Sequence, residues 1–191
     1  QESVSQKLAY AGTIAILLVV GLLLSFKKPE PMKIMARDGI VTVALSWILL
    51  SFFGGLPFFF TGEIPNIVDA FFETASGLTT TGSSIMPDLS VLAHSSLFWR
   101  SFTHLVGGMG VLVFALAILP SHGSESVQLM RAEVPGPVFG KLVSKLAHTA
   151  QILYMIYLAM TAVLVIILVV FQVPLFDALL LAFGTAGTGG F

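Results

Sequence analysis

Four apolar stretches without a charged side chain constrain the fold of this chain more than any other feature. A membrane-spanning helix needs about 20 mostly apolar residues, because the hydrocarbon core of a bilayer is about 30 Å thick. The stretches of that length are residues 8–26, 39–62, 101–120 and 152–171. Only 10% of the 191 residues are charged, against about 25% in an ordinary soluble domain. The sequence therefore predicts an all-α membrane protein with four spans.

Basic residues gather in two connectors, and this indicates how the spans are oriented. The connectors, residues 27–38 and 121–147, contain seven basic residues: Lys27, Lys28, Lys33, Arg37, Arg131, Lys141 and Lys145. The opposite side carries only Lys7 and Arg100. Because short cytoplasmic loops are enriched in lysine and arginine, we expect both connectors to be cytoplasmic and the other loops to be extracellular. The protein is then a multi-pass protein of the cell (cytoplasmic) membrane.

The outer segment 63–96 is too apolar for a solvated loop and too short for two further spans. Its first half, residues 66–78, predicts a short helix that starts at Asn66 or Asp69, with Phe71 and Phe72 packed inward. Three threonines and Gly82 follow, and β-branched residues favour extended backbone. Non-helical backbone at membrane depth must be packed in protein or line a water-filled cavity. We therefore expect residues 77–83 to form a re-entrant pore loop with an extended strand.

A second copy of this pattern lies further along the chain, at residues 184–191. Asp69 precedes Gly82 by the same interval as Asp177 precedes Gly190, so one constant shift in residue number relates the two copies. An inward-pointing short helix places its partially negative carboxyl end near the pore centre. Backbone carbonyls of the following residues can then replace the hydration shell of potassium. The repeat predicts an ion pore, with potassium as the transported substrate.

Residues 69–83, read as DAFFETASGLTTTGS, resemble the first pore loop of the Trk/Ktr family of potassium-uptake proteins. Residues 98–110, which run from Phe98-Trp99-Arg100-Ser101 to Gly107-Gly108-Met109-Gly110, resemble a second stretch of that family. Residues 132–137 and 183–191 resemble two more, in the family's order. The resemblance implies a transmembrane subunit with four pore repeats, usually a homodimer, gated by a cytoplasmic nucleotide-binding regulatory subunit. This chain contains the first repeat and the start of the second, so we expect it to be an N-terminal fragment.

The family's selectivity filter, carried over position by position, falls on two short segments. Its residues here are Thr79, Thr80, Thr81, Gly82, Ser83, Gly187, Thr188, Gly189, Gly190 and Phe191. Gly82 and Gly190 take the places of the filter glycines, where the family's serine variant would suggest sodium permeation. The second segment reads Gly-Thr-Gly-Gly instead of the commoner Thr-Thr-Thr-Gly, so a hydroxyl role at its first and third positions is in doubt.

The predicted organisation has four parts, built from repeats of the potassium-channel-like type: span, short pore helix, filter loop, span. They are residues 1–38 (a span and a cytoplasmic connector), 39–120 (the first pore repeat), 121–147 (a cytoplasmic linker) and 148–191 (the incomplete second repeat). The pore-loop mouths should be extracellular. Arg100 is expected to be a snorkelling or salt-bridged anchor at the outer end of the third span, with Glu73, Asp69 or Asp88 as candidate partners. Asp69 and Asp177 are expected to favour helix starts through capping and the helix dipole.

The small and polar residues of the third span have simple structural interpretations. Gly107, Gly108 and Gly110 are typical of close helix packing in membranes. His104 is interpreted as a packing or hydrogen-bonding residue, because the sequence shows no partner for a proton relay.

Three functions remain open at this point. Potassium transport, by a channel or by symport with another ion, is the leading hypothesis, and the protein is then not an enzyme. A non-conducting membrane scaffold is the first alternative. The second is an intramembrane serine hydrolase using Ser83 or Ser84, but the sequence lacks the Gly-x-Ser-x-Gly context and a well-placed base. We expect membrane lipid as a partner, no nucleic acid and no covalently bound cofactor, and the absence of cysteine excludes thiolate sites.

Overall fold

The computed structural model describes residues 4–26, 36–110 and 143–190. Side chains of residues 36–40 and 143–149 are outside the description. The helices in these ranges are α1 (Val4–Ser25), α2 (Ala36–Thr61), α3 (Ile67–Leu78), α4 (His94–Gly108), α5 (Val143–Val170) and α6 (Leu175–Ala186). The same ranges contain no β-strand. The all-α prediction is confirmed.

Three helices among the described residues are long and apolar enough to cross a membrane. They are Val4–Ser25, Val41–Thr61 within α2, and Ala150–Val170 within α5. Most of their large apolar side chains are exposed in this chain, as suits helices whose surroundings are lipid or further membrane helices. They correspond to the predicted spans 8–26, 39–62 and 152–171.

The predicted span 101–120 is described only as far as Gly110. Its helix, α4, begins at His94 and ends at Gly108, so Arg100 lies inside the helix and not at its outer end. The predicted cytoplasmic segments 27–38 and 121–147 lie largely outside the described residues, as does Phe191. The proposed domain boundaries therefore stay predictions.

Helix α3 packs closely against α2 through two adjacent glycines. A Cβ placed on Gly55 would lie 2.8 Å from the carbonyl oxygen of Ala70, and one on Gly54 would lie 2.7 Å from Cγ2 of Thr74. Trp99 of α4 donates from Nε1 to the Gly54 carbonyl oxygen at 2.8 Å. The close approach of α2 to α3 therefore depends on Gly54 and Gly55, which have no side chains. The same part of α2 also holds α4 through the hydrogen bond from Trp99.

The buried face of α3 combines polar and apolar residues. Glu73, Thr74 and Ser76 are buried on it together with Ala70, Gly77 and Leu78, whereas Phe72 is 44% exposed. The expectation that Phe72 packs inward is therefore wrong. The physical reason is that Glu73 forms an ion pair with Arg100 of α4, and because successive residues lie about 100° apart around a helix axis, Phe72 is turned away from the buried face.

Candidate functional site: the paired pore loops

The two short helices that lead into the pore loops begin in different ways. Asn66 caps α3, and its side-chain oxygen accepts a hydrogen bond from the Val68 amide at 3.0 Å. Pro174 precedes α6 without a side-chain cap. Asp69 and Asp177 lie in the first turns of α3 and α6. A carboxylate in the first turn interacts favourably with the helix dipole and stabilises the helix by about 0.3–1 kcal/mol. The capping role expected of these aspartates is therefore wrong, while a position favourable to the dipole is observed.

The two helices end with the same set of backbone hydrogen bonds. Three amides after α3 donate back into its last turn: Thr79 to Ala75 (2.9 Å), Thr80 to Gly77 (3.0 Å) and Thr81 to Ser76 (2.8 Å). Three amides after α6 do the same: Gly187 to Phe183 (3.0 Å), Thr188 to Thr185 (2.9 Å) and Gly189 to Gly184 (3.1 Å). Each donor and each acceptor in the second set is the repeat counterpart of one in the first. The sequence repeat is therefore also a repeat of backbone structure.

A threonine adopts left-handed backbone in each loop. Thr80 has φ 53° and Thr188 has φ 57°, while Gly82 and Gly190 have φ 73° and 71°. The two threonines occupy the position of a Schellman motif that is usually glycine, and a β-branched residue there is strained by about 1–3 kcal/mol. The prediction of an extended strand starting at Thr79 is therefore wrong, because closing the helix end requires a left-handed residue.

These hydrogen bonds also determine where the loop carbonyls point. In a planar trans peptide the N–H and the C=O point in opposite directions. Because the amides of Thr80 and Thr81 point back to α3, the carbonyls of Thr79 and Thr80 point away from it. By the same argument, the carbonyls of Gly187 and Thr188 point away from α6. Each loop thus presents backbone oxygens on the side opposite its helix.

The two loops contact each other at Gly82. A Cβ placed on this glycine would collide with the carbonyl oxygen of Gly189 and would lie 2.9 Å from its carbonyl carbon. Gly190, the repeat counterpart of Gly82, has nothing within 4 Å of such an atom. Gly82 is therefore favoured by its left-handed φ and required by the contact, whereas among the described residues Gly190 shows only the left-handed φ that favours glycine.

Helix α4 packs behind both loops through its glycines. A Cβ on Gly107 would lie 3.0 Å from the Cα of Leu78, at the end of α3. One on Gly108 would lie 2.9 Å from the Cα of Gly187 and 2.5 Å from the Tyr157 hydroxyl oxygen. The interpretation of Gly107 and Gly108 as close-packing residues is confirmed. Gly110 differs, since it has φ 69° just after the helix.

A buried carboxylate connects α3, α4 and the segment after the first loop. Glu73 and Arg100 are 1% and 5% exposed, and Arg100 Nε lies 2.6 Å from Glu73 Oε1. The same carboxylate accepts hydrogen bonds from the Ser84 hydroxyl at 2.8 Å and the Ile85 amide at 3.0 Å. Of the three candidate partners predicted for Arg100, the structure shows Glu73. The Ser84 and Ile85 bonds fix the chain just beyond Ser83.

A second carboxylate, Glu63, connects the C-terminal end of α2 to the start of α4. Its Oε1 accepts from the Ala93 amide at 2.8 Å, and its Oε2 accepts from the hydroxyls of Ser96 and, at 3.2 Å, Thr61. Ala93 caps α4 without a side-chain hydrogen bond of its own, so Glu63 satisfies the amide that precedes the helix. No local pattern in the sequence indicates this contact, because Glu63 and its partners in α4 are far apart along the chain.

Replacing Glu63 by alanine should lower the free energy of unfolding by about 1–3 kcal/mol, because the buried hydroxyl of Ser96 and the half-buried amide of Ala93 lose their acceptor. Asp88→Ala is the matched control. Asp88 is exposed in the same segment, residues 63–96, where hydrogen bonds from the backbone and side chain of Ser90 hold its pKa below the usual value. The control should leave the unfolding midpoint nearly unchanged, as is usual for an exposed side chain. Thermal unfolding of both variants in detergent measures the difference, and equal midpoints would contradict the role of Glu63.

Comparison with known protein families gives a match over nearly the whole chain. A family model described as TrkH, Cation transport protein, matches residues 4–191. The chain belongs to the TrkH family of cation transport proteins. Among TrkH-family members, it is 41% identical over 187 residues to the Trk system potassium uptake protein TrkH of Salmonella typhimurium. It is 34% identical over 166 residues to the Trk system potassium uptake protein TrkG of Escherichia coli.

A solved TrkH structure has the same fold. The potassium transporter TrkH from Vibrio parahaemolyticus superposes with a TM-score of 0.77 at 32% sequence identity, covering 97% of this chain and 37% of that one. The Salmonella and Escherichia alignments cover 96% and 86% of this chain, and 38% and 34% of the relatives. The chain therefore spans a little over a third of the length of these TrkH-family proteins.

Proposed function

We propose that the complete protein transports potassium across the cell membrane, and that the two pore loops supply part of its selectivity filter. The filter residues are those expected from the sequence, from Thr79 to Ser83 and from Gly187 to Phe191. The observation that carries the proposal is the duplicated helix end, which directs the carbonyls of Thr79 and Thr80 to one side. Carbonyl oxygens in such an arrangement can replace the hydration shell of a potassium ion.

The electrostatics of the loops favour a cation. Helices α3 and α6 end at the loops, and the carboxyl end of a helix carries about half a negative elementary charge. The basic side chain closest in sequence to this region, Arg100, is held by the Glu73 carboxylate. A cation at the loops would therefore meet helix carboxyl ends and backbone oxygens, while the nearby arginine is neutralised by its partner.

The proposal extends to the assembly. Two loops cannot enclose an ion, so we infer that two further loops of the complete protein close the filter. The family resemblance favours a homodimer in membrane lipid, controlled by a cytoplasmic nucleotide-binding subunit, with connectors 27–38 and 121–147 on the cytoplasmic side. The relatives named as potassium uptake proteins support potassium as the substrate. Channel and symport mechanisms are both compatible with the loop geometry.

The alternatives differ in measurable ways. In the hydrolase hypothesis Ser84 would be a nucleophile, but its hydroxyl donates to Glu73 and accepts from the Met86 amide at 3.1 Å. That arrangement favours a structural role. The scaffold hypothesis predicts a folded protein without ion flux.

The test is potassium flux through the complete protein reconstituted in lipid vesicles. We expect uptake of potassium or rubidium well above that of empty vesicles, together with discrimination against sodium. Folded protein without flux would favour the scaffold, and equal uptake of sodium and potassium would contradict the assignment of the filter.

A further inference from the structure

His104 of α4 lies in contact with the second pore loop, and its side chain is fully buried at 0% exposure. A Cβ placed on Gly189 would collide with the imidazole at Cε1 and Nδ1 and would lie 3.0 Å from Nε2. A Cβ on Gly187 would lie 2.5 Å from the backbone oxygen of His104 and 3.2 Å from its Cβ. The histidine therefore occupies the space that side chains at positions 187 and 189 would need.

The same imidazole also borders the first repeat. A Cβ placed on Gly77, near the end of α3, would lie 3.5 Å from Cδ2 of His104. Because Gly189 in turn contacts Gly82 through its carbonyl oxygen, a continuous line of contacts runs from His104 through Gly189 to Gly82. A residue of the first repeat is thus packed against the loop of the second.

This contact explains why the two loops differ in sequence. In the first loop the hydroxyls of Thr79 and Thr81 lie 2.8 Å apart, and Thr79 also donates to the Ala75 carbonyl oxygen at 2.7 Å. The counterparts of these threonines are Gly187 and Gly189. Neither glycine has a left-handed φ, so backbone conformation does not require glycine there. The imidazole of His104 excludes a side chain at position 189, and the backbone oxygen and Cβ of residue 104 exclude one at position 187.

We propose that His104 is a positioning residue for the second filter loop, whose imidazole sets where the Gly189 backbone lies and so how that loop meets Gly82. This role rests on the proposed function, since it concerns the geometry of the filter. It makes α4, a helix of the first repeat, the support of both loops. His104 acts through the Gly189 backbone, and the proposal assigns it no direct contact with the ion.

The test compares alanine variants in the complete protein. Gly189→Ala places a methyl group against the imidazole, and His104→Ala removes that imidazole. Each change alone should reduce the preference for potassium over sodium by about fivefold or more, and the double variant should lose less than Gly189→Ala alone. Gly187→Ala is the matched control. Its methyl group meets the backbone oxygen and the Cβ of residue 104, both of which alanine retains, so His104→Ala should not rescue it.

Two measurements separate a positioning role from simple packing: the thermal unfolding midpoint in detergent, and the ratio of potassium to sodium uptake in vesicles. We expect rescue of Gly189→Ala by His104→Ala in both. Rescue of the midpoint alone would show packing without control of the filter and would overturn the positioning role. Additive losses in both would overturn the contact itself. If the unmodified protein carries no potassium, the proposed function and the positioning role fail together, while the midpoints still report on the contact.

Discussion

Gly82→Ser should reduce potassium uptake by the complete protein by about tenfold or more, which corresponds to about 1.4 kcal/mol. Two effects act at this position. A residue with a Cβ at φ 73° is strained by about 1–3 kcal/mol, and its Cβ would collide with the Gly189 carbonyl oxygen. Moving that oxygen displaces a backbone group of the second loop. The remaining uptake should therefore discriminate poorly between potassium and sodium.

Two controls separate these effects. Gly62→Ser, just after α2 and outside the proposed filter, meets comparable strain, at φ 77°, without a contact within 4 Å, so we expect a smaller loss. Gly12→Ser, in α1, has neither strain nor a contact within 4 Å, and its uptake should match that of the unmodified protein. Rubidium uptake and sodium competition in vesicles measure all three. Unchanged selectivity in correctly inserted Gly82→Ser protein would refute the filter assignment.

Glu73→Gln should be the most destabilising of the proposed substitutions, at about 3–5 kcal/mol, because it leaves the buried guanidinium of Arg100 without its carboxylate. It also weakens the acceptor of the Ser84 and Ile85 hydrogen bonds. The segment after Ser83 should then lose its fixed position, so that selectivity falls along with stability. Thermal unfolding and ion competition, measured on the same preparation, report the two losses.

A double variant shows which part of the loss comes from charge. Replacing both partners of a buried ion pair by apolar residues is often close to neutral, so Glu73→Leu with Arg100→Met should recover most of the stability lost by either single change. Selectivity should stay low, because leucine cannot accept the bonds from Ser84 and Ile85. Full recovery of selectivity in the double variant would show that the carboxylate does not hold the loop.

The repeat was predictable because both its elements and its special residues recur at one period. The lengths of the short helices are indicated by the equal intervals from Asp69 to Gly82 and from Asp177 to Gly190. In the structure α3 and α6 start at equivalent positions of the two copies. Helical periodicity and a polar cap are local signals. Spans 8–26, 39–62 and 152–171 were predictable for the same reason, since length and hydropathy are read directly from the sequence.

The details that the sequence did not predict depend on contacts between distant segments. Thr80 was expected to be extended from its β-branching, but the amides that close α3 require a left-handed residue at that position. Phe72 was expected inside, but the pairing of Glu73 with Arg100 decides which face is buried. The contact between His104 and Gly189 could not be predicted from the sequence, where its only sign is that Gly189 stands at the position equivalent to Thr81.

The ion pair that supports the first loop has no copy beneath the second. The repeat counterpart of Glu73 is Leu181, which is 49% exposed and cannot form an ion pair. The second loop packs instead on α4, against Gly108 and His104. The two repeats are therefore not interchangeable. A second repeat moved elsewhere would lack the contacts of its loop with α4. A protein built from copies of the first repeat alone would place the side chain of Thr81 where the imidazole of His104 packs against Gly189. Each copy of the repeat is therefore suited only to its own place in the fold.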